Sequence, residues 1–287
     1  MTTAQGAWVT VVARVRPDDA DLVSGLLWGA GVAGVEERPC PGDDLVELRA
    51  GVPVEQAPAV TDAVSGLAAV VVEPVDGDAD LDRWREFARP WRAGGRFVVV
   101  PAWQRAPSWV GADDVVLSID PGRAFGSGAH PTTRMCLESL ERICFNESGG
   151  KLPDAVLDVG TGSGVLSIAA ALMGATRITA VDIDPEAIRV TQENLELNGL
   201  GDQVAASTTD LGLLPGEYGI VVANILAEEL VRLSAQLIAK VAPGGWLILS
   251  GILTEKAEFV RAGFPGMTSV DSPTEAEWSC LTFRKPC

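Results

Sequence analysis

The segment AVLDVGTGSGVLSIAAALMGATRITAVDID, residues 155–184, sets the architecture of the chain. It opens with an apolar run that ends at Asp158 and passes through three closely spaced glycines into residues with the apolar spacing of a helix. A second apolar run follows and ends at Asp182. This order predicts a strand, a glycine turn, a helix and a second, parallel strand, which together form a βαβ unit.

The glycine turn has the features of a nucleoside-binding loop. Glycine adopts positive φ and allows a ligand to touch the backbone, and the helix that follows directs its free N–H groups at the loop. Asp182 stands 22 residues after Gly160, about where nucleotide-binding βαβ units carry the acid that binds the ribose. We therefore expect Gly160, Gly162 and Asp182 to bind a cofactor that contains a ribose; a tight turn with a structural role alone is the alternative.

The spacing of the glycines separates this turn from the common dinucleotide and phosphate loops. The order is G-T-G-S-G, with Val165 where G-x-G-x-x-G needs its third glycine, and no lysine follows as in G-x-x-x-x-G-K-[ST]. Asp158 would repel a pyrophosphate, whereas its carboxylate would attract the α-ammonium of an amino acid. S-adenosylmethionine has both an amino-acid end and a ribose end, and the turn resembles motif I of the Rossmann-like methyltransferases.

The composition is that of a globular protein with an acidic surface. Hydrophobic residues make up 47% and charged residues 21% of the chain, and 22 basic against 39 acidic residues give a net charge of −17. This charge disfavours direct nucleic-acid binding and favours a basic partner, although solubility alone would also explain it. Five scattered cysteines without a C-x-x-C pair predict neither a metal site nor a disulfide framework. Without a signal peptide or a membrane-length apolar run, we expect a soluble cytoplasmic protein, and a monomer.

The sequence pattern predicts two domains. Residues 1–75 follow the order strand, helix, strand, strand, helix, strand, which is that of a smaller α+β, ferredoxin-like unit. We interpret this unit as a substrate-recognition domain, with a stabilising appendage as the alternative. Residues 76–95 are predicted to be a linker and residues 96–287 the catalytic domain, in which residues 96–100 and 115–119 would pair as a hairpin.

The catalytic domain alternates strands and helices, which predicts an α/β, Rossmann-like sheet of seven strands with an antiparallel pair at its end. Ligands of such sheets bind at the carboxyl ends of the strands. Asp210 and Asn224, like Gly160 and Asp182, follow predicted strands, so we expect them at the site. The side-chain oxygen of Asn224 would accept N–H groups of an amine and so aim its lone pair at a methyl carbon; a helix cap is the alternative.

A second informative segment, DPGRAFGSGAHPTTRMCLESLE, covers residues 120–141. Its glycines, Gly122, Gly126 and Gly128, predict a flexible loop that folds over a ligand and excludes water, and the residues after His130 predict the start of a helix. His130 is the only histidine of the chain, and we interpret it as structural rather than as a general base.

This segment and the motifs LDVGTGSGVLSIAAALMGA, VDIDPEAI, VANILAEEL, LSGIL and EWSCLTFRK resemble the bacterial methyltransferases that modify large-subunit ribosomal protein eleven. The resemblance covers residues 80–285. It implies methylation, by S-adenosylmethionine, of lysine ε-amines and of the N-terminal α-amine of that basic ribosomal protein. It also implies roles at the cofactor or the methyl group for Thr133, Gly160, Asp182 and Asn224.

The chain departs from related patterns at a few positions. Ser127 and Ala129 stand where the family usually has threonine, and the missing hydroxyl at Ala129 would loosen a ligand contact. Asn224 is followed by Ile-Leu and not by the Pro-Pro-aromatic sequence of base and glutamine methyltransferases, which disfavours a flat substrate. Because desolvation in a closed site lowers the pKa of a lysine, we assign no general base.

Two alternatives stay open at the level of the sequence. A lysine methyltransferase of similar core could act on another protein, since the N-terminal domain selects the partner. A non-catalytic binding protein could use the same fold as a scaffold. The intact set Asp158, Gly160, Asp182 and Asn224 disfavours the scaffold.

Overall fold

The computed structural model describes residues 8–32, 35–40, 44–74, 88–120, 130–147 and 149–287. The chain separates into two compact units, residues 1–83 and residues 84–287. Among the helices of the described ranges, none has the length and apolar character that a bilayer crossing requires. The first part of the predicted linker lies outside the described residues.

The first unit contains six elements in the predicted order: β1 (Trp8–Val15), α1 (Pro17–Gly29), β2 (Glu36–Pro39), β3 (Val46–Pro53), α2 (Ala57–Val64) and β4 (Ala69–Pro74). Its sheet has the order β2-β3-β1-β4, with antiparallel neighbours throughout. Alternate residues of β1 and β3 point towards the helices because successive side chains of a strand lie on opposite faces. Val11, Leu48, Leu27 and Val60 are fully buried in the resulting core.

The second unit begins with a small sheet of β5 (Trp91–Ala93), β6 (Phe97–Pro101) and β7 (Val115–Ile119). Residues 91–93, which the sequence pattern assigns to the linker, belong to this sheet because Ala93 is buried and pairs with Phe97. The predicted hairpin of β6 and β7 is wrong, since the two strands are parallel. The connection, residues 102–114, is long enough for the crossover that parallel strands need.

The remaining elements build the main layer of the second unit. In chain order they are α3 (Pro131–Arg142), β8 (Ala155–Val159), α4 (Val165–Leu172), β9 (Arg177–Val181), α5 (Pro185–Leu197), β10 (Val204–Ser207), β11 (Tyr218–Asn224), α6 (Ala227–Arg232), α7 (Ser234–Lys240), β12 (Val241–Leu253), α8 (Ala257–Ala262), β13 (Thr268–Asp271), β14 (Thr274–Glu275) and β15 (Trp278–Arg284).

These strands form one sheet in the order β10-β9-β8-β11-β12-β15-β13. The predicted Rossmann-like sheet of seven strands is confirmed, and the short β14 pairs with β15 as an eighth strand. Strands β8 to β12 are all parallel to one another, whereas β15 is antiparallel to β12 and to β13. The strand order reverses between β8 and β11, and ligands of open α/β sheets bind at such a switch point.

Both faces of this sheet are buried, which explains why its strands are continuous apolar runs. Val156 and Ile220 face a cluster that includes α3, α4 and α5. Leu157 and Val221, the next residues along the same strands, face a second cluster that includes α6, α7 and α8. The carboxyl ends of β8 and β11 therefore emerge side by side from a rigid core.

Candidate active site

The glycine turn between β8 and α4 has a backbone that favours glycine. Gly160, Gly162 and Gly164 have φ of 73°, 57° and 82°, in the left-handed region. A Cβ atom on Gly160 would lie 2.3 Å from Cγ2 of Ile225, and one on Gly164 would lie 2.9 Å from Cγ2 of Thr191. Conformation and packing thus both require glycine at the first and third positions.

The N–H groups of the turn are bonded within the protein. Those of Gly160 and Thr161 donate to the last carbonyl of β9, at 2.8 and 3.1 Å, and that of Gly164 donates to the Thr161 carbonyl at 2.9 Å. The N–H of Gly162 donates to Oδ2 of Asp182 at 3.0 Å. A phosphate loop needs such groups free to cradle its anion. The turn therefore fits a ligand that places no phosphate on it.

Asp158 lies near the end of β8 and is 1% exposed. Its Oδ2 accepts hydrogen bonds from the hydroxyls of Thr161 and Ser167, both at 2.8 Å. Its Oδ1 is buried and has no partner among the described residues. Burial raises the pKa of Asp158 to about 6, and the nearby Asp182 adds to the rise. A cationic donor beside Oδ1 would satisfy this oxygen and stabilise the carboxylate.

Asp182 is half-buried directly after β9. Its two oxygens accept the N–H groups of Gly162, at 3.0 Å, and of Asp184, at 3.1 Å. Asp184 in turn caps α5 by accepting the N–H of Glu186 at 2.9 Å. The carboxylate of Asp182 is thus fixed beside the turn, and its remaining lone pairs are able to accept hydroxyl groups of a ribose.

Asn224, the last residue of β11, contacts the start of α3. Its Nδ2 donates to Oγ1 of Thr133 at 3.3 Å, whereas its Oδ1 is buried without a partner among the described residues. Thr133 is itself buried. The structure therefore brings these two predicted residues together, and the amide oxygen stays available as an acceptor.

The start of α3 is held by further contacts. His130 precedes the helix, and its Nδ1 accepts the N–H of Thr132 at 3.4 Å. The hydroxyl of Ser250, at the end of the neighbouring β12, donates to the Thr132 carbonyl at 3.1 Å. The ring of His130 meets Trp278 edge-on, with 5.0 Å between centroids. Burial lowers the pKa of His130, which favours the neutral ring that accepts the Thr132 N–H as a helix cap.

Asp210 stands apart from the other predicted residues in its contacts. It is exposed, and its Oδ1 accepts the N–H of Gly212 at 2.7 Å, which caps the short helix Leu211–Leu213. Its role at the cofactor stays a prediction. The predicted loop glycines and the departures at Ser127 and Ala129 lie outside the described residues.

Sequence reasoning missed several polar residues that support this site. Ser167 holds Asp158, and Thr191 and Asn194 on α5 donate to carbonyls of the turn. The last two are 0% exposed. Polar residues three positions apart on the buried side of a helix were the signal available in the sequence, because buried polar groups need partners.

Comparisons with known proteins agree with this geometry. A family model described as ribosomal protein L11 methyltransferase (PrmA) matches residues 54–286. A ribosomal protein L11 methyltransferase of Citrifermentans bemidjiense is 64% identical over 216 residues, which cover 75% of this chain and 70% of the relative. The protein of the same name from Syntrophotalea carbinolica is 39% identical and covers 97% of this chain and 98% of its own.

A solved structure supports the fold. The crystal structure of a ribosomal protein L11 methylase from Lactobacillus delbrueckii subsp. bulgaricus matches with a TM-score of 0.62 and 30% sequence identity. The match covers 70% of this chain and 100% of that one. These matches confirm the resemblance inferred from the sequence motifs.

Proposed function

The chain belongs to the ribosomal protein L11 methyltransferase family, and from this premise we propose that it transfers methyl groups from S-adenosylmethionine to amines of ribosomal protein L11. The amines are lysine ε-amines and the N-terminal α-amine. The observation that carries the proposal is a pair of buried oxygens, Oδ1 of Asp158 and Oδ1 of Asn224, which have no hydrogen-bond partner within the described ranges. They lie on the paired strands β8 and β11, at the switch point of the sheet.

The residues of the turn suit S-adenosylmethionine. Oδ1 of Asp158 accepts the α-ammonium, which gives this buried oxygen the partner that it lacks. Asp182 accepts the ribose hydroxyls, and Gly160 and Gly162 let the ligand approach the backbone. Asp210, beyond the end of β10, is assigned to the same cofactor, and Thr133 contributes by fixing Asn224.

S-adenosylmethionine supplies an electrophilic methyl carbon on a sulfonium, and the protein has to align the amine with it. Oδ1 of Asn224 accepts one N–H of the neutral amine and so directs the nitrogen lone pair. Its Nδ2 is already bonded to Thr133, which fixes the orientation of the amide. With the donor bound at Asp158 and Asp182, transfer would form the C–N bond as the C–S bond breaks; the thioether S-adenosylhomocysteine would leave, and the methylated ammonium would release a proton to water. No side chain is required as a base, because a desolvated amine enters the site neutral.

The charge of the chain favours the proposed substrate. A net charge of −17 attracts a basic protein over distances of about a Debye length and repels the phosphates of RNA. We therefore propose that the chain recognises ribosomal protein L11 itself and does not bind nucleic acid directly. We also propose that the reaction takes place in the cytoplasm.

The function is tested by incubating the full-length chain with methyl-labelled S-adenosylmethionine and purified ribosomal protein L11. We expect label on L11, with added masses of 14 Da per methyl on lysines and the N-terminus in a peptide mass spectrum. A parallel incubation with a cell extract that contains L11 shows which protein is preferred. Label on a different protein, with none on L11, would falsify the substrate; no label on any protein would exclude the activity.

A further inference from the structure

Helix α5 holds one side of the glycine turn through two buried polar side chains. Oγ1 of Thr191 donates to the carbonyl of Gly162 at 2.9 Å, and Nδ2 of Asn194 donates to the carbonyl of Ser163 at 2.8 Å. These carbonyls belong to consecutive residues. Because the N–H of Gly162 reaches Asp182 on the other side, α5 and Asp182 together fix the turn.

Asn194 also binds the residue that follows β7. Its Oδ1 accepts the N–H of Asp120 at 2.8 Å, and its Nδ2 donates to the carbonyl of Asp120 at 2.9 Å. With the bond to Ser163, the oxygen and both N–H donors of its side-chain amide each have a partner. One amide therefore joins the end of β7 to the glycine turn.

Asn198, the C-cap residue that directly follows α5, makes the same pair of bonds with Ser118. The N–H of Ser118 donates to its Oδ1 at 2.9 Å, and its Nδ2 donates to the Ser118 carbonyl at 2.7 Å. Four residues of a helix rise about 6 Å, and two residues of a strand rise about 6.6 Å. The spacing of Asn194 and Asn198 along the helix axis thus matches the spacing of their partners, Asp120 and Ser118, along the strand.

The two asparagines differ in one contact that decides their roles. Nδ2 of Asn198 donates its second bond to the carbonyl of Asn194, within α5, whereas Nδ2 of Asn194 donates to Ser163 in the turn. We propose that Asn194 is a positioning residue of the cofactor site, which sets the glycine turn relative to the end of β7. This inference rests on the proposed binding of S-adenosylmethionine to the turn.

Replacement of Asn194 by aspartate keeps the shape of the side chain but removes both donors. An oxygen then faces the carbonyls of Asp120 and Ser163 and repels them, which removes the tie between the turn and the end of β7. The same change at Asn198 breaks the bonds to the carbonyls of Ser118 and Asn194 and leaves the turn untouched. Asn198→Asp is therefore a matched control for the structural part of the effect.

The experiment measures the Kd of S-adenosylmethionine by calorimetry for the full-length chain, Asn194→Asp and Asn198→Asp, with urea unfolding of each ligand-free protein. We expect both variants to lose stability, and Asn194→Asp to lose more, because Asn194 is fully buried whereas Asn198 is half-buried. Asn194→Asp should raise the Kd at least tenfold, and Asn198→Asp should change it less than twofold. Equal changes in Kd for the two variants, or an unchanged Kd for Asn194→Asp, would overturn the proposal.

A second pair of variants covers the case in which aspartate prevents folding. Asn194→Leu and Asn198→Leu keep the volume of the side chain and bring no buried charge, and we expect the same ranking of Kd. Binding of S-adenosylmethionine to the unaltered chain distinguishes a failure of this inference from a failure of the proposed function. If the unaltered chain does not bind S-adenosylmethionine, the proposed function fails; if it binds and Asn194 variants bind equally well, the positioning role alone fails.

Discussion

The proposed cofactor end of the site (Asp158, residues 160–164 and Asp182) and the proposed acceptor end (Thr133 and Asn224) are assembled in different ways. The bonds at Asp158 and Asp182 link residues 2 to 20 positions apart, at 2.8 to 3.1 Å. The acceptor end depends on a 3.3 Å bond between residues 91 positions apart. The carboxylate bonds of the proposed cofactor end thus form within one βαβ unit, to which α5 adds two bonds from outside, whereas the proposed acceptor end forms only when α3 has packed on the completed sheet.

This difference predicts that substitutions at the two ends change different constants of the reaction. Groups that bind the donor should control its Kd, and groups that orient the amine should control kcat at saturating donor. Variants at each end can confirm or break this division.

Asn224→Ala should have the largest effect. It removes the oxygen that aims the amine, and we expect kcat to fall about 10²-fold, or roughly 2.7 kcal/mol of transition-state free energy, while the Kd of S-adenosylmethionine changes less than threefold. Single-turnover rates and calorimetry measure the two quantities. Asn224→Asp keeps an oxygen acceptor and should retain more activity than the alanine variant. Alanine and aspartate variants of equal rate would contradict an acceptor role.

Asp182→Ala should weaken donor binding by about 1.5–3 kcal/mol, the range for a hydrogen bond to a charged group, with kcat at saturating donor nearly unchanged. Calorimetry and saturation kinetics check both parts. Asp184→Ala is the matched control, because this exposed acid caps α5; it should lower stability by about 1 kcal/mol and leave the Kd within threefold. If Asp184→Ala raised the Kd more than Asp182→Ala does, the result would contradict the proposal that the ribose binds at Asp182.

The smallest effect concerns pH and Asp158. Since burial raises its pKa to about 6, binding of the α-ammonium should weaken about tenfold between pH 7 and pH 5 as the carboxylate is protonated. Calorimetric titrations at several pH values measure this slope, and Asp158→Asn should abolish it. A slope that persists in the asparagine variant would assign the titration to another group.

The same shift fixes the sign of a stability effect in the ligand-free protein. The folded-state pKa of about 6 lies above the ordinary value of 3.8, so the folded protein binds more protons than the unfolded chain between these values. The contribution of Asp158 to the free energy of unfolding is therefore largest below pH 4 and decreases as pH rises to 6. Urea unfolding of the parent and of Asp158→Asn across this window should differ in slope.

The local structure around Asp158, the glycines and Asp182 could be predicted because its signals are local, while the binding roles of these residues stay predictions. Asp158, the glycines and Asp182 lie within one βαβ unit, and apolar runs with a glycine turn are enough to place them. Asn224 was found through its position after a strand, but its bond to Thr133 depends on the packing of α3 on the sheet and has no signature in either segment.

Other features could not be predicted from local patterns. The direction of β7 relative to β6 depends on the path of residues 102–114, and the sequences of the two strands do not indicate this direction. Trp91–Ala93 is too short and too close to charged residues to stand out as a strand, and only pairing with β6 defines it. The bonds of Asn194 likewise join three segments, so that its spacing on α5 shows burial but not its partners.

Oδ1 of Asp158, which has no partner in the described part of the chain, affects how stable and how abundant the protein is in a cell. A buried carboxylate with one unsatisfied oxygen makes the ligand-free chain less stable than the loaded one, and a bound ligand adds RT ln(1 + [L]/Kd) to the free energy of unfolding. When the methyl donor is scarce, a larger fraction of the chain is unfolded and open to proteases. The abundance of the protein should therefore follow the supply of methyl donor, without any dedicated regulator.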